Sequence, residues 1–109
     1  MANTFKLKTK ANVGVTTVGI YTAPAATTTV VFGITMANTS GSGVNVGVGI
    51  TRAGTTEDVK LLKNAPIPQG SSLEFMAGNK IVLEATDTVV VDSDTNNSVD
   101  AALTIMEIT

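Results

Sequence analysis

The side chains in this sequence with any capacity for chemistry are few, and most of them are acids. Asp87, Asp92, Asp94 and Asp100 cluster late in the chain. The run Asp92-Ser93-Asp94-Thr95-Asn96 opens like a calcium loop, with oxygen ligands at alternate positions. Such a loop also needs a glycine at its sixth position and a glutamate at its twelfth, and here those are Asn97 and Leu103. A polar hairpin turn is the better reading, and no metal site is expected. Hydrolysis by paired carboxylates requires two acids converging in a cleft, one with a raised pKa. The acids here stand mostly in turns beside small polar residues, which is the pattern of solvated surface. The chain has no His and no Cys. That removes the commonest general base and metal ligand, any serine triad, thiolate metal sites and a disulfide framework. Ser40, Ser42, Ser71 and Ser72 read as turn residues. Gly41-Ser42-Gly43 precedes no helix, so it is not a phosphate cradle. Asn38-Thr39-Ser40 and Asn96-Asn97-Ser98 match the glycosylation pattern, but without a signal peptide they carry only loop composition. No catalytic or cofactor-binding residue is expected, and the chain does not read as an enzyme.

Charge is distributed unevenly. Of seven basic residues, Lys6, Lys8 and Lys10 precede the first acid, Glu57. Residues 11–109 hold four basic side chains against all nine acids, a net of −5. An acidic body argues against nucleic-acid binding, which needs a basic face. Only Phe5, Tyr21, Phe32 and Phe75 are aromatic, too few for a base-stacking platform or a sugar-binding groove. No apolar run approaches the ~20 residues of a membrane helix. MANTFKLKTK is basic with no apolar stretch behind it, so it is not a secretory signal.

The elements that position these residues are strands. Residues 1–14 read as an extended arm, Phe5 and Leu7 on one edge and Lys6 and Lys8 on the other, mobile until docked. Strands follow at Val15–Ala23, closed by Pro24, and at Thr27–Asn38. In the latter, alternation puts Val30, Phe32, Ile34 and Met36 on one face and Val31, Gly33, Thr35 and Ala37 on the other. After the turn Thr39–Gly43, the strand Val44–Thr51 turns Val44, Val46, Val48 and Ile50 inward and Asn45, Gly47, Gly49 and Thr51 outward. Two glycines on one face imply a bend or the close approach of another backbone, either a bulged edge or a subunit contact. Beyond the loop Ala53–Glu57 come a short strand Val59–Leu62 and the rigid segment Asn64–Gly70, whose Pro66 and Pro68 suit a crossing between sheets. Leu73–Met76, Lys80–Glu84, Thr88–Val91 and Val99–Ile108 complete the set, with Ala77-Gly78-Asn79 and Ala85-Thr86-Asp87 as turns. Seven or eight strands at regular spacing, with no helical period, predict one all-β domain. The expected fold is a seven- to eight-stranded antiparallel β-sandwich, jelly-roll or Ig-like, over residues 15–109, with the arm at 1–14.

Three stretches carry a family likeness: IYTAPAATTTVVFGITMANTSGSGVNVGVGI, LLKNAPIPQGSSLEFMAGNKIVLEATDTVVVDS and NSVDAALTIMEIT. Together they resemble small virion structural proteins of tailed bacteriophages, particularly of marine and cyanobacterial phages. The likeness runs from Ile20 to the end. It departs at Thr86, where the pattern prefers Gly before Asp87, and at Gln69, which separates Pro68 from Gly70. The resemblance implies a β-sandwich with a structural job and no cofactor. The protein would be made in the host cytoplasm late in infection and end in the virion. The leading expectation is a capsid decoration (cement) protein, a homo-oligomer with a trimer favoured, partnered by itself and by the major capsid or another virion protein. A neck or tail ring or a fibre adaptor is the alternative, and a host-glycan or receptor-binding domain a third. No nucleic acid, membrane or small-molecule substrate is expected. The residues assigned to the protein interface are Phe5, Lys6, Leu7, Lys8 and Lys10 in the arm, and Asn45, Gly47 and Gly49 on the thin face.

Overall fold

A computed structural model describes residues 2–53, 57–75 and 80–109. The strands are β1 (Asn3–Val13), β2 (Val18–Thr22), β3 (Thr28–Asn38), β4 (Val44–Thr51), β5 (Asp58–Ile67), β6 (Ser72–Phe75), β7 (Ile81–Leu83), β8 (Thr88–Ser93) and β9 (Val99–Ile108). They form two antiparallel sheets: β1-β9-β3-β6, with β7 also on β3, and β2-β8-β4-β5. Since β6 and β7 pair with successive stretches of β3, they act as two halves of one strand position. The pairing is then nested. First joins last, second joins next-to-last, β3 joins the β6–β7 position, and β4 joins β5. Nested pairing folded into two sheets is the jelly roll, which decides between the two expected sandwich types. The expected turn Ala77–Asn79, the end of the strand at Met76 and the middle of the loop, Gly54–Thr56, lie outside the described residues.

The core is aliphatic, as the composition required. Val44, Val46, Val48, Ile50, Val89 and Val91 of one sheet meet Val31, Ile34, Met36, Leu83, Leu103 and Ile105 of the other, all buried. The inward set predicted for β4 is the one observed. The set predicted for β3 is not. Opposite β9 the register slips between Val31 and Gly33, so Phe32 is an extra residue. A one-residue bulge reverses the alternation beyond it. Thr29 and Val31 therefore point inward before the bulge, and Ile34, Met36 and Asn38 after it. Val30 and Phe32 face outward.

The segment around Pro66 also differs from expectation. Asn64–Ile67 stays in the sheet as the end of β5, paired with β4 from Val44 to Val46. Only Pro68–Ser71 crosses to the other sheet. β5 lies at a sheet edge, where a proline's missing N–H is tolerated, and its register breaks twice. Asn64 takes a left-handed φ of 56°.

Candidate interaction surface

The arm is a strand of the domain. Asn3–Lys10 pair without a break against Ile108–Ala101 of β9, and Ala2 and Thr109 exchange backbone hydrogen bonds of 3.0 Å each. It thus lies on its own chain, whereas the sequence reading left it as an arm outside the sandwich, mobile until docked. The reason is the jelly-roll order: β9 pairs with β3 on one side, and on the other it meets β1, in register from Asn3 to Lys10. The predicted division of the arm is real. Phe5 and Leu7 lie on the outer face, opposite Met106 and Thr104, and Lys6, Lys8 and Lys10 lie on the side opposite the inward-facing Ile105, Leu103 and Ala101.

β1 is fastened by a polar cluster at the edge of the core. Glu107 is the last inward position of β9, only 7% exposed. Its Oε2 accepts from the Tyr21 hydroxyl at 2.6 Å, and its Oε1 pairs with Lys6 Nζ at 2.8 Å. The Tyr21 O–H donates its hydrogen bond to the carboxylate, so Thr29 Oγ1, 2.9 Å away, donates to the phenol oxygen. Lys8 Nζ stands 5.9 Å from the centre of the Tyr21 ring. Bonds from Lys6 and Tyr21 hold the Glu107 carboxyl below the usual carboxylate range. Burial and the Glu107 bond push the Tyr21 hydroxyl up to about 12. This is a clasp: both Glu107 oxygens and the Tyr21 hydroxyl are already engaged. The sequence held a signal for it, an acid falling on the apolar phase of ALTIMEIT.

The outer face of the same sheet carries an apolar band. One rung carries Phe5, Met106, Val30 and Val82 across β1, β9, β3 and β7. Phe5 is 69%, Leu7 64% and Val82 59% exposed. The bulge sends the Phe32 ring to stack on Phe5, centroids 5.9 Å apart, and Lys80 Nζ lies 5.9 Å from the Phe32 centroid. Beyond this band the face turns small and polar, through Thr9, Ala11, Thr35, Ala37, Asp100 and Ala102, which line a shallow trough. Val30, Val82 and Met106 were missed in the sequence because their grouping follows only from pairing.

The thin face of β4 is covered from within. Gly47 and Gly49 are buried. A methyl group on Gly49 would stand 2.8 Å from the Val59 carbonyl oxygen, and one on Gly47 2.6 Å from Asp92 Oδ1 and 3.3 Å from the Leu62 carbonyl. The backbone expected to approach these glycines is β5 of the same chain. Asn45 alone of the three is exposed.

The acids hold turns together. Asp92 Oδ2 accepts from Thr17 Oγ1 at 3.0 Å, and Asp94 Oδ1 accepts from the Asn45 N–H at 3.1 Å and from Thr95 Oγ1 at 3.1 Å. Among the described residues no group of three or more acids could hold a metal ion. Asp87 is buried, contrary to the expectation for a turn acid. Burial pushes its carboxyl up, but the N–H groups of Ala53 and Glu84 and the Arg52 guanidinium outweigh this and hold it below the usual range. Arg52 also pairs with Glu84. Asn38 is buried, its amide donating to the Ser42 and Ile67 carbonyls at 2.8 and 3.0 Å, which leaves no acceptor nitrogen for a glycan.

No protein-family model matches this chain, and no curated protein matches it. Solved structures do. A chain of Bacillus endospore appendages, described as a novel family of disulfide-linked pili, aligns with a TM-score of 0.57 at 15% identity, covering 99% of this chain and 87% of that one. A chain of the acid-stable capsid of Helicobacter pylori bacteriophage KHP30 aligns with a TM-score of 0.55 at 10% identity, over 100% and 89%. A chain of the infectious bursal disease virus Gx strain aligns with a TM-score of 0.54 at 14% identity, over 96% of this chain and 36% of that one. At these identities the likeness is one of fold.

Proposed function

We propose that this protein is a structural component of a tailed-bacteriophage virion, and within it a capsid decoration protein that binds capsomers as a small homo-oligomer, a trimer favoured. The observation that carries the reading is the outer face of the β1-β9-β3-β7 sheet. It exposes Phe5, Leu7 and Val82 in a domain whose glycine face and buried acids are already satisfied internally. Two of the structures that share the fold come from virus particles, which supports a role in an assembled shell. Covering three side chains exposed to this degree is worth on the order of 1 kcal/mol each. That is far short of the ~8 kcal/mol of a micromolar pair, so such a face suits a lattice or ring in which symmetry repeats a weak contact.

Quantitative mass spectrometry of purified particles tests this reading. Hundreds of copies per particle support decoration of the head. Six or twelve copies place the chain in a neck or tail ring, the alternative. Loss of shell density from heads lacking the protein is the expected result of a particle reconstruction, and loss of tails rejects it. The glycan-binding reading has less support: of the four aromatics, Tyr21 is buried, Phe32 and Phe75 are half-buried, and only Phe5 is exposed. The disulfide linkage named for the pilus chain has no counterpart here, since the sequence has no cysteine.

A further inference from the structure

We infer that the free edge of β1 is a strand-addition site for an extended segment of another chain in which acidic and apolar residues alternate. The inference deepens the virion reading by naming the chemistry of what the arm meets. The sandwich has four edges, and three are blunted. β2 is five residues long with a register slip. β5 is broken by two slips and carries Pro66. The β6–β7 edge is split into pieces of four and three residues. β1 alone offers a long regular run, unbroken in register from Asn3 to Lys10, with nothing paired on its outer side among the described residues.

The groups it offers follow from the ladder. Ala2 and Thr109 form a doubly bonded pair. In an antiparallel ladder such pairs recur at every second residue. Thr4, Lys6, Lys8 and Lys10 therefore bond to β9, while Asn3, Phe5, Leu7 and Thr9 turn their N–H and C=O groups outward. An incoming antiparallel strand bonds to those odd residues. Its residues opposite Lys6, Lys8 and Lys10 then occupy the non-bonded pairs, where side chains approach most closely. Carboxylates belong opposite Lys8 and Lys10, since Lys6 already holds Glu107. On the other face the incoming side chains lie beside the exposed Phe5 and Leu7, where apolar residues belong.

The described edge strands of a second copy do not supply that pattern. β1 against β1 sets lysine on lysine, which is unfavourable. β2 has no acid, β6 has only Glu74, and β5 has only Asp58, beside Lys60 and Lys63. The donor is therefore a different chain. Self-pairing along this edge is what inward-facing lysines on an edge strand prevent.

The test uses the full chain and a peptide of about ten residues in which glutamate and valine alternate. A second peptide of the same composition carries its glutamates in one block. Binding by the alternating peptide is expected, with the amides of Phe5, Leu7 and Thr9 newly protected in hydrogen exchange. Leu7→Pro removes an outward N–H that the β9 ladder does not use, so the variant folds and loses binding. Lys8→Gln combined with Lys10→Glu weakens binding about fivefold to tenfold. Equal binding of the two peptides, protection at another edge, or unchanged affinity of a folded Leu7→Pro variant overturns the inference. So does preference for a single-stranded oligonucleotide over the peptide. If the peptide binds but purified phage particles lack the chain, the virion reading fails and the strand-addition site stands. If particles carry the chain and the peptide does not bind, the reverse holds.

Discussion

Replacing Glu107 tests the internal logic of the clasp most directly. Its carboxylate is buried and makes two charged contacts, one to the buried Tyr21 hydroxyl and one to Lys6, whose side chain is 42% exposed. A buried hydrogen bond to a charged group is worth about 1.5–3 kcal/mol, whereas a half-exposed ion pair contributes about 0.5 kcal/mol after solvent screening. Glu107→Ala is therefore expected to cost about 2–3 kcal/mol, or roughly 10 °C in Tm for a domain of this size. Tyr21→Phe should cost about 1.5–2 kcal/mol and Lys6→Met under about 1 kcal/mol. The pH dependence follows in sign. The folded carboxyl titrates below its unfolded value, so its stabilisation is complete above the unfolded pKa near 4.3 and is lost as pH falls through the folded one. Tyr21 works from the alkaline side. Its folded value of about 12 lies above the unfolded value of 10, so its contribution is complete below pH 10 and disappears between 10 and 12. Urea unfolding at pH 7, 3 and 11 measures all of these. The reasoning is refuted if Lys6→Met costs as much as Tyr21→Phe. It is refuted equally if Glu107→Ala unfolds with the same acid dependence as the parent.

Other perturbations follow from the backbone. Thr86 sits at φ 67°, a left-handed conformation that costs a β-branched residue about 1–2 kcal/mol. Thr86→Gly should raise stability by about 0.5–1 kcal/mol after the entropy of glycine in the unfolded chain is subtracted, read as a higher urea midpoint. Gly49→Ala meets a backbone carbonyl and should cost about 2–3 kcal/mol. Gly47→Ala meets chiefly a side-chain oxygen that can swing away, so its thermal melt should fall by less. Asn38→Ala removes the amide that joins the Ser42 and Ile67 carbonyls and should cost about 2–4 kcal/mol, with early hydrogen exchange at the Ser40–Val44 turn.

Much of the candidate surface was legible residue by residue, and the misreadings share one origin. The division of Phe5 and Leu7 from the lysines needed only the two-residue period of a strand, and the inward set of β4 likewise. Glycines 47 and 49 announced a close backbone without saying whose. Asp87 looked like a turn acid because nothing local records that Arg52 and Ala53, far away in the sequence, converge on it. The bulge at Phe32 left no mark in the pattern, because both faces of β3 are largely apolar and either phase reads as plausible.

By itself, the sequence determined that this chain is all-β, aliphatic in its core, poor in reactive side chains, and basic only at its beginning. Those properties are local: they depend on composition and on alternation between neighbours. Tertiary structure decided which strands meet and which side chains share a face. Asn3 pairs with Ile108, a contact that spans nearly the whole chain. One extra residue at Phe32 reverses the alternation beyond it, because side chains on a strand alternate with a period of two. The apolar rung of Phe5, Met106, Val30 and Val82 draws on four strands, and no stretch of the sequence contains it.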